Sequence, residues 1–199
     1  MNKETIKRVI SSIILLPLAY YSITQGSLMK LFFIMICFVV SIYEWHIMTK
    51  KKSYAVYGYF FLFFSFYSFY ELSAEITLLL FVIIICVLTD IGGYVFGKTF
   101  KGPKLTKISP NKTYAGMLGG YALSLISILI IINHTNYSIS LLKILLLTIS
   151  LSTVSQIGDI IVSYFKRLSK IKHTGNIIPG HGGLLDRIDG MIFAFPFFF

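Results

Sequence analysis

The sequence predicts an all-α integral membrane protein with about six to seven transmembrane helices, and three observations carry that expectation. The 199 residues are 56% hydrophobic and 13% charged, whereas a soluble globular domain is typically about 45–50% apolar and about 25% charged. Apolar blocks of membrane-spanning length recur along the chain, and the basic residues fall between them in alternation. A soluble enzyme, a disordered tail and a disulfide scaffold all fit this balance poorly.

A spanning helix needs about 20 predominantly apolar residues, and six blocks approach or exceed that length: 6–23, 28–48, 54–70, 76–95, 114–132 and 141–165. The first has a basic start (Lys3, Lys7, Arg8), but Pro17 is followed by Tyr20 and Tyr21 with no small-residue cleavage site, so it reads as a retained helix. The third is rich in Phe and Tyr, which suits the membrane interface as well as a span. A seventh stretch, 188–199, is only 12 residues long. At 1.5 Å per residue it rises about 18 Å against a hydrocarbon core of about 30 Å. It begins earlier, near Leu184, crosses only partway, or belongs to a truncated chain. With no internal repeat or low-complexity linker, residues 1–199 read as one polytopic domain. Cys37 and Cys86 lie within apolar runs and read as small hydrophobes.

The chain carries 18 Lys and Arg against 8 Asp and Glu, a formal charge of +10. Because the basic residues sit between apolar blocks, they point to anionic lipid headgroups and a phosphorylated substrate, not to nucleic acid. With a cytoplasmic N-terminus and six alternating crossings, 16 of the 18 basic residues face the cytoplasm. Only Lys30 and Lys143 fall opposite, together with Glu71 and Glu75. Both long polar segments, 96–112 and 166–187, then share the cytoplasmic face, and they are too short to form a separate nucleotide-binding domain. An active site is expected where these segments converge at the cytoplasmic ends of the helices.

Carboxylates in or beside membrane helices are costly and point to function. Setting aside Glu4, Glu71 and Glu75 leaves Glu44, Asp90, Asp159, Asp186 and Asp189. Asp186 and Asp189 are three apart and share a helix face. Such hard oxygen donors suit Mg²⁺, which takes a few carboxylates plus substrate phosphates. Asp186 alone also reads as a helix N-cap. Pro179-Gly180-His181-Gly182-Gly183 leads directly into Leu184-Leu185-Asp186-Arg187-Ile188-Asp189, and such a glycine run can turn backbone N–H groups toward phosphate. For His181, an ordinary turn residue is the alternative. The other segment offers Ser109-Pro110-Asn111-Lys112-Thr113, then Gly116, Gly119 and Gly120. Lys112 and the hydroxyls suit a triphosphate, while the spaced glycines fit either a phosphate or close helix packing. Ser163, Lys166 and Arg167 close the sixth block, as phosphate ligands or as a basic membrane anchor.

These stretches resemble a known family. Gly158-Asp159 through Ser163-Tyr164-Phe165-Lys166-Arg167, followed by Pro179 to Asp189, looks like the signature of phosphatidate cytidylyltransferases, or CDP-diacylglycerol synthases. Asp90-Ile91-Gly92-Gly93-Tyr94 and Ser109 to Gly116 resemble two further blocks, so the likeness runs over residues 90–196. It implies a nucleotidyltransferase that joins CTP to phosphatidic acid, releasing pyrophosphate and CDP-diacylglycerol for phospholipid synthesis. It also implies Mg²⁺, as one or two cations, held by Asp159, Asp186 and Asp189. On this reading Asp159, Lys166, Arg167, Asp186 and Asp189 are catalytic. Asp90, Ser109, Lys112, Thr113, Ser163, Lys172, Gly180, His181, Gly182, Gly183 and Arg187 bind substrate. The expected setting is a bacterial plasma membrane, with membrane lipids and a second copy of the chain as partners.

The chain departs from the family pattern at Ala115, Val162 and His173, each of which replaces a usual acid. Two alternatives stand beside the main reading: a CTP-dependent polyprenol kinase, and a degenerate protein that binds lipid or nucleotide without turnover.

Overall fold

A computed structural model describes residues 3–50, 52–129, 140–180 and 182–199, apart from the side chains of residues 3–10, 12 and 16. The described residues form eight helices with both ends described, a further helical stretch over residues 127–129, and no sheet. The eight are α1 (Lys3–Thr24), α2 (Ser27–Thr49), α3 (Ala55–Leu72), α4 (Ile76–Phe100), α5 (Tyr114–Ser124), α6 (Leu141–Leu168), α7 (Leu185–Ile188) and α8 (Met191–Phe198).

Three of them, α2, α4 and α6, are long and apolar enough to cross a membrane, and they coincide with the second, fourth and sixth apolar blocks. Large side chains on their outer faces stay open, including Phe32 at 65% and Leu142 at 66% exposure. Faces this apolar are satisfied by hydrocarbon, not water, which marks the chain as a membrane protein. The first and third blocks are helical too, as α1 and α3.

In the fifth block α5 ends at Ser124, Leu125 and Ile126 form a turn, and helix resumes over residues 127–129. Beyond Ser124 the backbone tightens into i→i+3 bonds, from Ile126 N to Leu123 O and from Leu129 N to Ile126 O. The Ser124 and Ser127 hydroxyls donate to the carbonyls of Tyr121 and Ser124, a local competition with helical pairing. Residues 130–132 of this block lie outside the described residues. The last stretch forms two helices, because Gly190 separates α7 from α8. A Cβ at Gly190 would collide with Ser155.

The chain divides into two compact units, one of residues 1–76 and 165–188, the other of residues 77–164 and 189–199. In the first, α2 packs against α1 and α3, burying Ile34, Trp45, Met48, Leu62, Phe66 and Phe69. Trp45 sits edge-on to Phe165, ring centroids 5.2 Å apart, and its Nε1 donates to the Ala55 carbonyl at 2.9 Å. A Cβ at Gly58 would strike that indole, so the glycine is what lets α3 approach α2.

The second unit is held by small residues and hydroxyls. A Cβ at Gly92 of α4 would meet the backbone of Gly119 and Gly120 in α5, so these helices touch main chain to main chain. Thr89 Oγ1 donates to Ser152 Oγ at 2.8 Å, joining α4 to α6, and Leu79, Val82, Ile85 and Leu151 fill the core. Since backbone cannot swing aside, Gly92→Ala is expected to destabilise the unit by about 1–3 kcal/mol. That lowers the thermal midpoint in detergent by several degrees, and an unchanged midpoint would refute the close α4–α5 contact.

Candidate functional site

In the second unit, α4, α5, α6 and the connection 101–113 enclose a cleft of about 320 Å³. The connection is shaped by its own chemistry. Ser109-Pro110-Asn111-Lys112 is a β-turn closed by Lys112 N donating to Ser109 O at 3.0 Å, with Ser and Pro at positions that favour such turns. Leu105 N donates to Lys112 O at 2.8 Å. Thr113 then caps α5, its Oγ1 accepting from Gly116 N at 3.1 Å.

This folding brings five expected residues onto one cleft: Asp90, Ser109, Lys112, Thr113 and Asp159. Lys112 Nζ pairs with Asp159 Oδ2 at 2.5 Å, with side chains 24% and 28% exposed. Ser163, one turn further along α6, is buried and donates to Asp159 Oδ1 at 3.3 Å. The cleft thus offers two carboxylates, one ammonium and small polar groups at its wall. Asn111 and Gln156 also line it; Gln156 carried a signal, as an amide inside an apolar run. Asp189 is buried in the same unit and its Oδ1 accepts from Gly190 N at 3.0 Å.

In the first unit a second polar cluster forms around Asp186, whose side chain is 4% exposed. Its Oδ1 accepts from Lys166 Nζ at 2.8 Å, and its Oδ2 accepts from Thr174 N at 2.9 Å and Gly183 N at 3.3 Å. His173 Nδ1 lies 3.5 Å from Oδ2. Burial pushes the Asp186 carboxyl up, but the Lys166 ammonium and the Thr174 and Gly183 amides outweigh it, holding the group below its ordinary value. Arg167 donates to the Ile171 carbonyl at 3.0 Å and is otherwise exposed. Lys172 and Arg187 are exposed.

Gly180 and Gly182 have φ of 77° and 91°, a region that favours glycine. Mutual Ile178–Gly182 hydrogen bonds of 2.9 and 3.1 Å close this loop. His181 lies outside the described residues. Gly183 is open for another reason, since a Cβ there would collide with Thr174 Oγ1 and the Glu44 carboxylate. Glu44 was one of five acids singled out by position, yet sequence reasoning gave it no role. Of the departures, Val162 is buried, Ala115 is half-buried and His173 is exposed. Within either unit, no three His, Cys, Asp or Glu side chains among the described residues come together as a metal-binding group.

The chain is thus a membrane helix bundle whose cleft carries a lysine, two carboxylates and a Ser-Pro-Asn-Lys-Thr turn. More particularly, residues 53–199 match the cytidylyltransferase family, and the chain belongs to that family. It is 44% identical over 119 residues to a phosphatidate cytidylyltransferase of Staphylococcus saprophyticus, covering 59% of this chain and 46% of that one. The enzymes of that name from Staphylococcus haemolyticus and Staphylococcus aureus are 41% and 42% identical over the same length and with the same coverage. The chain spans about half the length of the curated relatives it matches.

Proposed function

We propose that the protein transfers a cytidylyl group from CTP to phosphatidic acid, giving CDP-diacylglycerol and pyrophosphate, at the cytoplasmic face of a bacterial plasma membrane. The observation that carries this reading is the single cleft onto which the second unit gathers Asp90, Ser109, Lys112, Thr113 and Asp159, within the stretch that matches the family. A phosphate monoester oxygen of the lipid attacks the α-phosphorus of CTP, and the bond to the β-phosphate oxygen breaks. The attacking oxygen is already anionic, so the protein mainly positions the reactants and offsets charge. Lys112 supplies positive charge at the cleft. Lys166, Arg167, Lys172 and Arg187 are the basic groups that the same reading assigns to phosphates, and Arg can grip two oxygens at once.

Mg²⁺ is bound by one or two carboxylates plus phosphate oxygens. The cleft fits that need with Asp90 and Asp159 on its wall, so these two would hold the cation. When bound, it neutralises triphosphate charge. Asp159 and Asp186 alike have both oxygens engaged, by Lys112 and Ser163 in the one and by Lys166, Thr174 and Gly183 in the other, so a cation at either would share or displace those partners; Asp189 completes the carboxylate set implied by the family likeness. The basic-residue asymmetry supports a cytoplasmic N-terminus. The same reading includes a homodimer, which light scattering on detergent-solubilised protein would show as twice the 22.6 kDa chain mass.

The test is purified protein with a panel of nucleoside triphosphates and lipid phosphates, with and without Mg²⁺. Expected is pyrophosphate release with CTP and phosphatidic acid only when Mg²⁺ is present. CDP release with a polyprenol would establish the kinase alternative, and binding without turnover the degenerate one.

A further inference from the structure

We infer that Glu44, in α2 and outside the stretch that matches the family, is a positioning residue for the Lys166–Asp186 pair; the inference rests on the transferase reading. Its carboxylate is 1% exposed, and a buried carboxylate is costly unless hydrogen bonds satisfy it. Here they do. Oε1 accepts from Leu184 N at 2.8 Å, and Oε2 accepts from Leu185 N and Thr174 Oγ1, both at 2.8 Å.

All three donors belong to the segment that carries Asp186, and all three lie at least 130 residues away in sequence. Thr174 is the shared element. Its hydroxyl goes to Glu44 and its backbone N–H to Asp186, so displacing one carboxylate disturbs the other's partner. Leu184 and Leu185 immediately precede Asp186, which fixes where its side chain starts. Two glycines make room for the arrangement: a Cβ at Gly175 would stand 2.9 Å from Glu44 Oε1, and one at Gly183 would stand 2.5 Å from Oε2. An apolar residue at position 44 would fill space in α2 equally well, but it would leave two backbone N–H groups and a hydroxyl buried without acceptors. The glutamate is therefore explained by the segment it holds.

Glu44→Gln keeps the shape but presents an NH₂ where only donors await it. In the full chain in detergent, kcat is expected to fall about tenfold to a hundredfold, the scale of a misplacement near 1 Å, while KM for CTP shifts less than about threefold. Amide exchange in residues 182–188 is expected to speed up about tenfold, and exchange in α3 to stay unchanged. Thr174→Val removes one donor and leaves Glu44 in place; a kcat loss of about threefold to tenfold is expected. Wild-type kcat in either variant, or unchanged exchange at 182–188 in Glu44→Gln, overturns the positioning role. Should Glu44→Gln fail to fold, Thr174→Val decides the question. A wild-type protein that turns over no CTP sinks the transferase reading instead, and the exchange experiment still reports on Glu44.

Discussion

Asp186→Asn is expected to lower CTP turnover by about a hundredfold or more, equivalent to about 2.7 kcal/mol in the barrier. Both carboxylate oxygens act as acceptors, one for Lys166 and the other for the amides of Thr174 and Gly183. An asparagine can accept at only one end, so its NH₂ faces either an ammonium or two N–H groups. In either orientation Lys166, only 10% exposed in its side chain, loses its counter-charge, and in one it loses its acceptor as well; breaking a buried pair in this way typically costs about 3–5 kcal/mol. Pyrophosphate release at saturating substrates, normalised to folded protein, measures the loss; wild-type turnover would remove Asp186 from the machinery. A pH signature accompanies it. The native carboxyl titrates below its ordinary value, so its ionised form stabilises the fold above the ordinary carboxylate range near about 3.9. That contribution is lost as pH falls through the lower native value. The wild-type thermal midpoint should therefore drop on acidification below about pH 5, and the Asn variant should show a flatter acid limb. Parallel curves would refute the Lys166 clasp.

The membrane helices were legible because a span is defined by length and composition, and α2, α4 and α6 have both. The break in the fifth block at Leu125 and Ile126 was not, since Ser124 and Ser127 bond there to local carbonyls within a largely apolar run. Nor was the need for glycine at position 190, where a Cβ would collide with Ser155 in a different helix. In the site, the Ser109–Thr113 stretch stood out by its lysine and hydroxyls, whereas the turn and cap that it forms are seen in the structure. The role of Glu44 was not legible, because its partners at 174, 184 and 185 are set by tertiary packing. Its only local signal was a carboxylate inside an apolar helix. The glycines divide similarly: Gly180 and Gly182 have the backbone angles that a glycine turn suggests. The reason for Gly183 lies at Thr174 and on α2, at Glu44.

Lys112→Ala is the second large effect, and its value lies in separating function from stability. The Lys112–Asp159 pair is about a quarter exposed on each side, and pairs open to solvent contribute only about 0–1 kcal/mol to folding. The variant should therefore keep its thermal midpoint within a few degrees. Its kcat/KM for CTP should nevertheless fall about a hundredfold, or about 2.7 kcal/mol, because an ammonium at the cleft wall is lost from phosphate binding. Asp159→Asn tests the other half. If Asp159 merely orients Lys112, the double variant loses no more than Lys112→Ala alone. If its carboxylate also acts on a cation, the double variant loses more, and Asp159→Asn alone raises the Mg²⁺ concentration needed for half-maximal rate. The second outcome is expected, because Asp90 stands on the same wall and a pair of carboxylates facing a triphosphate is a magnesium-binding arrangement. A double-mutant cycle on kcat/KM at several Mg²⁺ concentrations distinguishes the two. Equal losses in the single and double variants, with no change in the Mg²⁺ requirement, would leave the cleft as a phosphate site whose carboxylate only steers its lysine.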